Sequence, residues 1–213
     1  MIYVISDIHG ELEKLNKMLE LINFSEEDTL YILGDMIDRG KFPITTLIKC
    51  INSKNIIPLM GNHEKMMIEY LDDSRDDNWL RNGGRITLNQ FSEMSKDNRE
   101  TLKAQIINFP FYKVVNINNT KFVLVHAGMT TYDNGDISEV QTEDFMIWAR
   151  EDFYRGRYVN DKQIIIFGHN PVKTIHGKWE IWHGENKICI DCGAAYGGKL
   201  ACLRLDDMKE FYI

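Results

Sequence analysis

The sequence predicts an α/β fold in which two mixed β-sheets pack face to face, flanked by helices, with a small helical cap inserted between the halves. Three observations predict it. In the first 71 residues an apolar, β-forming run breaks three times into a short polar loop and then into helical periodicity; residues 72–110 turn polar and helix-like; from Phe111 onward the text is mainly short strands. Successive strand–loop–helix units require a sheet that is at least partly parallel, with right-handed crossovers.

Residues 2–6 form the first run and break into DIHG, after which Leu12, Leu15, Leu19 and Ile22 recur at helical spacing. Residues 30–33 run into GDMIDRG; Ile44, Leu47, Ile48 and Ile51 then mark a helix beginning near Pro43, whose fixed φ suits a first helical position. Residues 56–60 end in GNHE, ahead of Met66, Met67, Tyr70 and Leu71. In residues 72–110 a turn falls at WLRNGGR and a stop at Pro110. The remaining runs are FYKVVNI, KFVLVHAG, QIIIFGHN, KWEIWHG, NKICIDCG, KLACLRL and EFYI, with one helical stretch near residues 143–153. They read as hairpins, and the pairs Asn118-Asn119 and Gly197-Gly198 supply turns. No repeat, low-complexity tract or linker intervenes, so residues 1–213 read as one domain with residues 72–110 as its cap insertion.

Composition is that of an ordinary globular protein, 44% apolar and 27% charged, and no stretch approaches a membrane span. The opening MIYVISDIHG lacks the marks of a secretory signal, so the expected location is the cytoplasm. A formal charge of −7 argues against a generic grip on nucleic acid, and the lack of a heptad points to a monomer. Cys50, Cys189, Cys192 and Cys202 complete no zinc-ribbon pattern. Cys189 and Cys192, three apart in an apparent strand, would face opposite ways, and all four read as reduced packing thiols.

The chemistry-bearing residues fall at the carboxyl ends of the predicted strands, where ligands collect in sheets of this kind. Asp7 and His9 follow the first strand, Asp35 and Asp38 the second, Asn62, His63 and Glu64 the third; His126 and His169 each end a later run. Any one of them would pass for a turn residue, a helix cap or a buried histidine. The set in order is what carries the signal, because carboxylate and imidazole donors on rigid strand ends suit divalent manganese, iron or zinc.

The segments SDIHG, GDMIDRG, GNHE, HAG and FGHN, in this order, resemble the phosphoprotein phosphatase branch of the calcineurin-like metallophosphoesterases. WLRNGGRITL, IWARED and IDCGAAYGGKL resemble small bacterial members, so the likeness spans nearly the whole chain. The resemblance implies two divalent metal ions, manganese first with iron or zinc as alternatives. Asp7, His9 and Asp35 would hold one, and a bridging Asp35 with Asn62, His126 and His169 the other. Where many relatives end in Gly-His-x-His this chain has Gly-His-Asn-Pro, and Pro171 offers no ligand. The resemblance further implies that His63 protonates the leaving group with Asp38 orienting it. Arg39 and Arg150 would clamp phosphate, Asn62 would face the substrate, and Tyr196 would overhang the site. Asp191 is expected to hold the Gly-rich turn, Glu64 to support the site, and His176 and His183 to lie on the surface.

The leading expectation is hydrolysis of a phosphomonoester in phosphoserine or phosphothreonine proteins, with phosphotyrosine a further option, by direct attack of metal-bound hydroxide. No Cys-x5-Arg loop points to a cysteinyl-phosphate route. The alternative is a bis(5'-nucleosyl)-tetraphosphatase, with Trp79, Arg81, Asn82 and Arg85 of the cap contacting peptide, base or polyphosphate. A non-catalytic binding module on the same fold is a third reading.

Overall fold

The computed structural model describes residues 1–73, 77–131, 136–156 and 163–213. Strands β1 (Ile2–Ile5), β2 (Thr29–Ile32) and β3 (Ile56–Pro58) pair in parallel, Ile2 opposite Thr29 and Leu30 opposite Ile56. Helices α1 (Leu12–Leu21) and α2 (Pro43–Asn52) make the crossovers between them. α1 buries Leu15 and Met18; α2 opens on Pro43 and buries Ile44, Leu47 and Cys50. α3 (Asn62–Asp72) begins immediately after the β3 loop, and the Glu64 carboxylate in its first turn accepts the Gly61 N–H.

Between the halves lie a wide helical turn (Leu80–Gly84), α4 (Arg85–Ser92) and α5 (Lys96–Ile107). β4 (Tyr112–Ile117) and β5 (Thr120–Val125) form an antiparallel hairpin whose turn residues Asn118 and Asn119 have φ of 48° and 66°. That is the left-handed pair a two-residue hairpin demands.

The expectation of hairpins throughout the second half is corrected. β5 pairs in parallel with β6 (Gln163–Phe167), and β6 in parallel with β8 (Lys187–Cys189). Parallel neighbours need a long return, and the chain makes it through α6 (Glu143–Trp148), α7 (Glu151–Tyr154) and α8 (Val172–His176). The expected single helix over residues 143–153 is therefore two, broken at Ala149 and Arg150. β7 (Trp182–His183) completes the second sheet in the order β4-β5-β6-β8-β7. β9 (Ala201–Arg204) and β10 (Lys209–Tyr212) leave it and join the first as β10-β9-β1-β2-β3.

The first sheet is thus parallel from β1 to β3 and antiparallel from β1 through β9 to β10, the second is parallel in the middle and antiparallel at both edges, and helices flank them. Val4, Ile5, Ile32, Leu33, Val123, Leu124, Ile165 and Ile166 are wholly buried in one continuous core. Each such side chain stabilises by about 1.5–3 kcal/mol relative to exposure. The four cysteines are free and buried. Cys192 lies beyond the end of β8, so it does not share a strand with Cys189. Among the described residues no helix is long and apolar enough to cross a membrane.

Candidate metal centre and active site

The loops after β1, β2, β3, β5 and β6 converge, and the backbone stitches them together. His9 N–H donates to Asp35 O at 2.9 Å and Gly168 N–H to His126 O at 2.7 Å. His63 N–H donates to Asp35 Oδ1 and His169 N–H to Asp7 Oδ2, each at 3.0 Å. Asp7, His9, Asp35, Asp38, Arg39 and His169 all have φ between 46° and 71°. This left-handed region is uncommon for non-glycine residues and persists where the surroundings over-determine it. Two glycines are required for close approach. A Cβ on Gly61 would lie 2.3 Å from Asp35 Oδ1, and one on Gly168 1.9 Å from Ser6 Oγ.

Asp35 stands at the centre. Its Oδ2 faces His9 Nε2 at 3.6 Å and His63 Nε2 at 3.8 Å, and its Oδ1 faces His126 Nε2 at 3.6 Å. Asn62 Oδ1 lies 2.8 Å from His126 Nε2 and 2.9 Å from His169 Nδ1, and those two ring nitrogens are 3.2 Å apart. His126 Nδ1 donates to Leu33 O and His9 Nδ1 to Ile37 O, which leaves the Nε2 lone pair of each aimed inward. Burial depresses the pKa of all four imidazoles, His9, His63, His126 and His169, and so favours their neutral forms. Burial also pushes the Asp35 carboxyl well up, and the charges of Asp7 and Glu64 add to the rise.

Neutral imidazole lone pairs, an amide oxygen and mutually repelling buried carboxylates form a donor set that fits divalent cations. They fall into two groups that share Asp35, one with His9 and His63, the other with His126 and His169. Asp7 lies beside them with one oxygen, Oδ2, taken up by His169 N–H and the Ser6 hydroxyl.

At the mouth, His63 Nδ1 donates to Asp38 Oδ2 at 2.5 Å. The Arg39 guanidinium bridges the Nε2 atoms of His9 and His63, and the exposed Tyr196 ring lies over it at 5.0 Å. Burial pushes the Asp38 carboxyl up to about 7 against the opposing hydrogen bonds of Thr87 and Trp79. Arg150 is exposed, and its charge contributes to the depressed pKa of His126 and of His169.

Glu64 and Asp191, expected from the sequence as supports, are joined by Lys14 and Trp148, which carry no sequence signal of their own. Glu64 accepts the N–H groups of Asp35 and Met36, both at 2.8 Å. Lys14 of α1 donates to Ala194 O and Gly198 O, pinning the turn that carries Tyr196, while Asp191 accepts from Gly193 N–H in the same turn. Trp148 packs edge-on against His169. Trp79 is a correction: it is 1% exposed and donates its indole N–H to Asp38, so it offers no face to a substrate. Arg81, Asn82 and Arg85 are exposed. His183 pairs with Glu210 at the surface, and half-buried His176 bonds to Glu180 O.

A model of the calcineurin-like phosphoesterase family matches residues 1–202. The chain belongs to that family. As a calcineurin-like phosphoesterase it is a metal-dependent hydrolase of phosphoesters, with bacterial serine/threonine protein phosphatases among its relatives. Serine/threonine-protein phosphatase 2 of Salmonella typhimurium is 28% identical, over 96% of this chain and 92% of that protein. The bis(5'-nucleosyl)-tetraphosphatase PrpE of Anoxybacillus flavithermus is 24% identical, over 98% of this chain and 92% of that one. Among solved structures, a cold-active protein-tyrosine phosphatase of Shewanella shares this phosphoesterase's fold with TM-score 0.60 at 16% identity, over 99% of this chain and 79% of that chain.

Proposed function

We propose that this phosphoesterase hydrolyses phosphomonoesters on serine and threonine side chains of proteins, with phosphotyrosine within its chemical reach. The observation that carries the reading is the buried Asp38–His63 couple at the mouth of the ligand cluster, next to Arg39. A serine or threonine alkoxide is a poor leaving group and needs a proton as it departs, whereas a phosphoanhydride releases a much more stable anion.

In this reading Asp7, His9 and Asp35 would hold one divalent ion, and Asp35, Asn62, His126 and His169 the second. Manganese is the expected metal, with iron or zinc as alternatives. Such a pair, when bound, acidifies water and neutralises charge on the transferring phosphoryl group. Arg39 and Arg150 orient the phosphate oxygens, a task for which the planar guanidinium is suited. Asn62 also faces the phosphate, and Tyr196 covers Arg39. His63 is assigned the acid role and not a ligand role because its ring is fixed by Asp38 through Nδ1 and meets Arg39 through Nε2. The acid role calls for His63 as the imidazolium, its added charge balanced by Asp38 and with Arg39 turned to the phosphate; as the bond from phosphorus to the leaving oxygen breaks, its electron pair stays on oxygen, the proton on His63 Nε2 joins it and the ring becomes neutral. Water supplies the oxygen newly bound to phosphorus.

The second reading, a dinucleoside tetraphosphatase, is favoured by relatives of that name that match nearly the full chain. It keeps the same ligands. The burial of Trp79 removes the base-stacking platform it would have used. The test is kcat/KM for a phosphoserine peptide against diadenosine tetraphosphate, after stripping metal and restoring manganese, with His63→Asn as control. Preference for the peptide, with a large loss in the control, supports the first reading; preference for the dinucleotide replaces it with the second.

A further inference from the structure

We propose that Trp79 and Thr87, from the segment between α3 and β4, are positioning residues that hold the Asp38 carboxylate against His63. The inserted segment thereby supplies the outer half of the acid couple. This rests on the reading of His63 as the acid.

The argument is geometric. Asp38 Oδ2 receives two donors, His63 Nδ1 at 2.5 Å and Trp79 Nε1 at 2.8 Å. Its Oδ1 receives the Thr87 hydroxyl, and that same hydroxyl oxygen accepts the Asp38 backbone N–H at 3.0 Å. The next residue is gripped too, since Arg39 N–H donates to Gly83 O at 3.3 Å. Hydrogen bonds from one inserted segment therefore converge on two consecutive residues, the acid's partner and the phosphate clamp. Both have left-handed backbones, φ 71° and 65°, which need such external support.

Asp38 and Thr87 are 0% exposed and Trp79 is 1% exposed, so no solvent can replace these donors. Packing alone does not require this arrangement. The Trp79 ring packs on Tyr70 at 5.3 Å between centroids, with Gly84 against its face. Beyond its bulk, what distinguishes tryptophan at this position is the indole N–H, and it is spent on Asp38. With either donor removed the carboxylate can rotate, and His63 loses its fixed orientation.

The manganese-loaded enzyme is assayed with two substrates, a phosphoserine peptide whose leaving group needs a proton and 4-nitrophenyl phosphate whose leaving group needs it far less. Trp79→Phe and Thr87→Val are expected to lower kcat on the peptide by about tenfold, a fraction of the full worth of a general acid, with KM little changed. The loss on 4-nitrophenyl phosphate should be several times smaller, and Thr87→Ser, which keeps the hydroxyl, should recover most of the loss. In a His63→Asn background Thr87→Val should cost nothing further, because groups that act through one another are not additive. Equal losses on both substrates, together with additivity, would overturn the positioning role and leave only packing. If circular dichroism shows Trp79→Phe to be unfolded, the two Thr87 variants decide. A His63→Asn enzyme that keeps the wild-type preference between the two substrates overturns the acid reading itself, a result distinct from failure of the positioning role.

Discussion

At the scale of single residues, the site is built by backbone groups as much as by side chains. Asp35 can present one oxygen to each ligand group only because its own N–H and that of Met36 are taken by Glu64, which also accepts Gly61 N–H at 3.2 Å. Burial pushes the Glu64 carboxyl up to about 7, and those donors work against the rise. Glu64→Gln would turn an NH2 group toward N–H donors. It is expected to cost about 1–3 kcal/mol of stability, read by urea unfolding, because a buried donor without an acceptor keeps its full desolvation penalty. Asp7, His9, Asp35, Asp38, His63, His126 and His169 were all legible in the sequence, since each follows an apolar run and carries a group that binds metal or moves protons. Trp79 and Thr87 were not. WLRNGGR reads as a turn of the cap that offers Trp79 to a substrate, and nothing local says that its indole is buried on Asp38.

At the scale of elements, β8 and α7 are joined by a buried lysine. Lys187 Nζ donates to Phe153 O at 2.6 Å and Gly156 O at 2.7 Å, beside the Phe153 ring. Burial lowers its pKa from an ordinary 10.5 to about 8. Between those values the unfolded chain carries a proton that the folded chain has released, so this residue favours folding increasingly as pH rises through the window and opposes it below. The stability of the wild type relative to Lys187→Met is therefore expected to improve from pH 7.5 to pH 10, measured by urea unfolding across that range. A flat difference would show that the ammonium stays charged. The strands of the second half were legible as strands, but their pairing was not. The period-2 pattern fixes which faces are apolar, while the parallel partners of β6 depend on where α6, α7 and α8 return the chain.

At the scale of the whole molecule, a chain of formal charge −7 gathers buried carboxylates and neutral imidazoles at the meeting point of its two sheets. A divalent cation there binds the folded state and not the unfolded one, so metal is linked to stability. Chelation should lower Tm and manganese restore it, with about 2.7 kcal/mol gained at a free metal concentration a hundredfold above Kd. Calorimetry of the stripped and reloaded protein checks this, and an unchanged Tm would sink the ligand assignment. A variant lacking His126 should lose most of the response, because Asp35, Asn62 and His169 cannot alone close the second group.

The sequence by itself determined the fold class and the residues of the candidate centre, because strand–loop–helix periodicity and the residues placed at strand ends are local properties. Only the tertiary structure decided which strands pair in parallel, that β9 and β10 return to the first sheet, and that the segment between α3 and β4 grips Asp38 with Trp79 and Thr87. Those outcomes depend on contacts between segments far apart in the chain, where burial and the demand that every buried donor find an acceptor choose among arrangements the local pattern leaves equal.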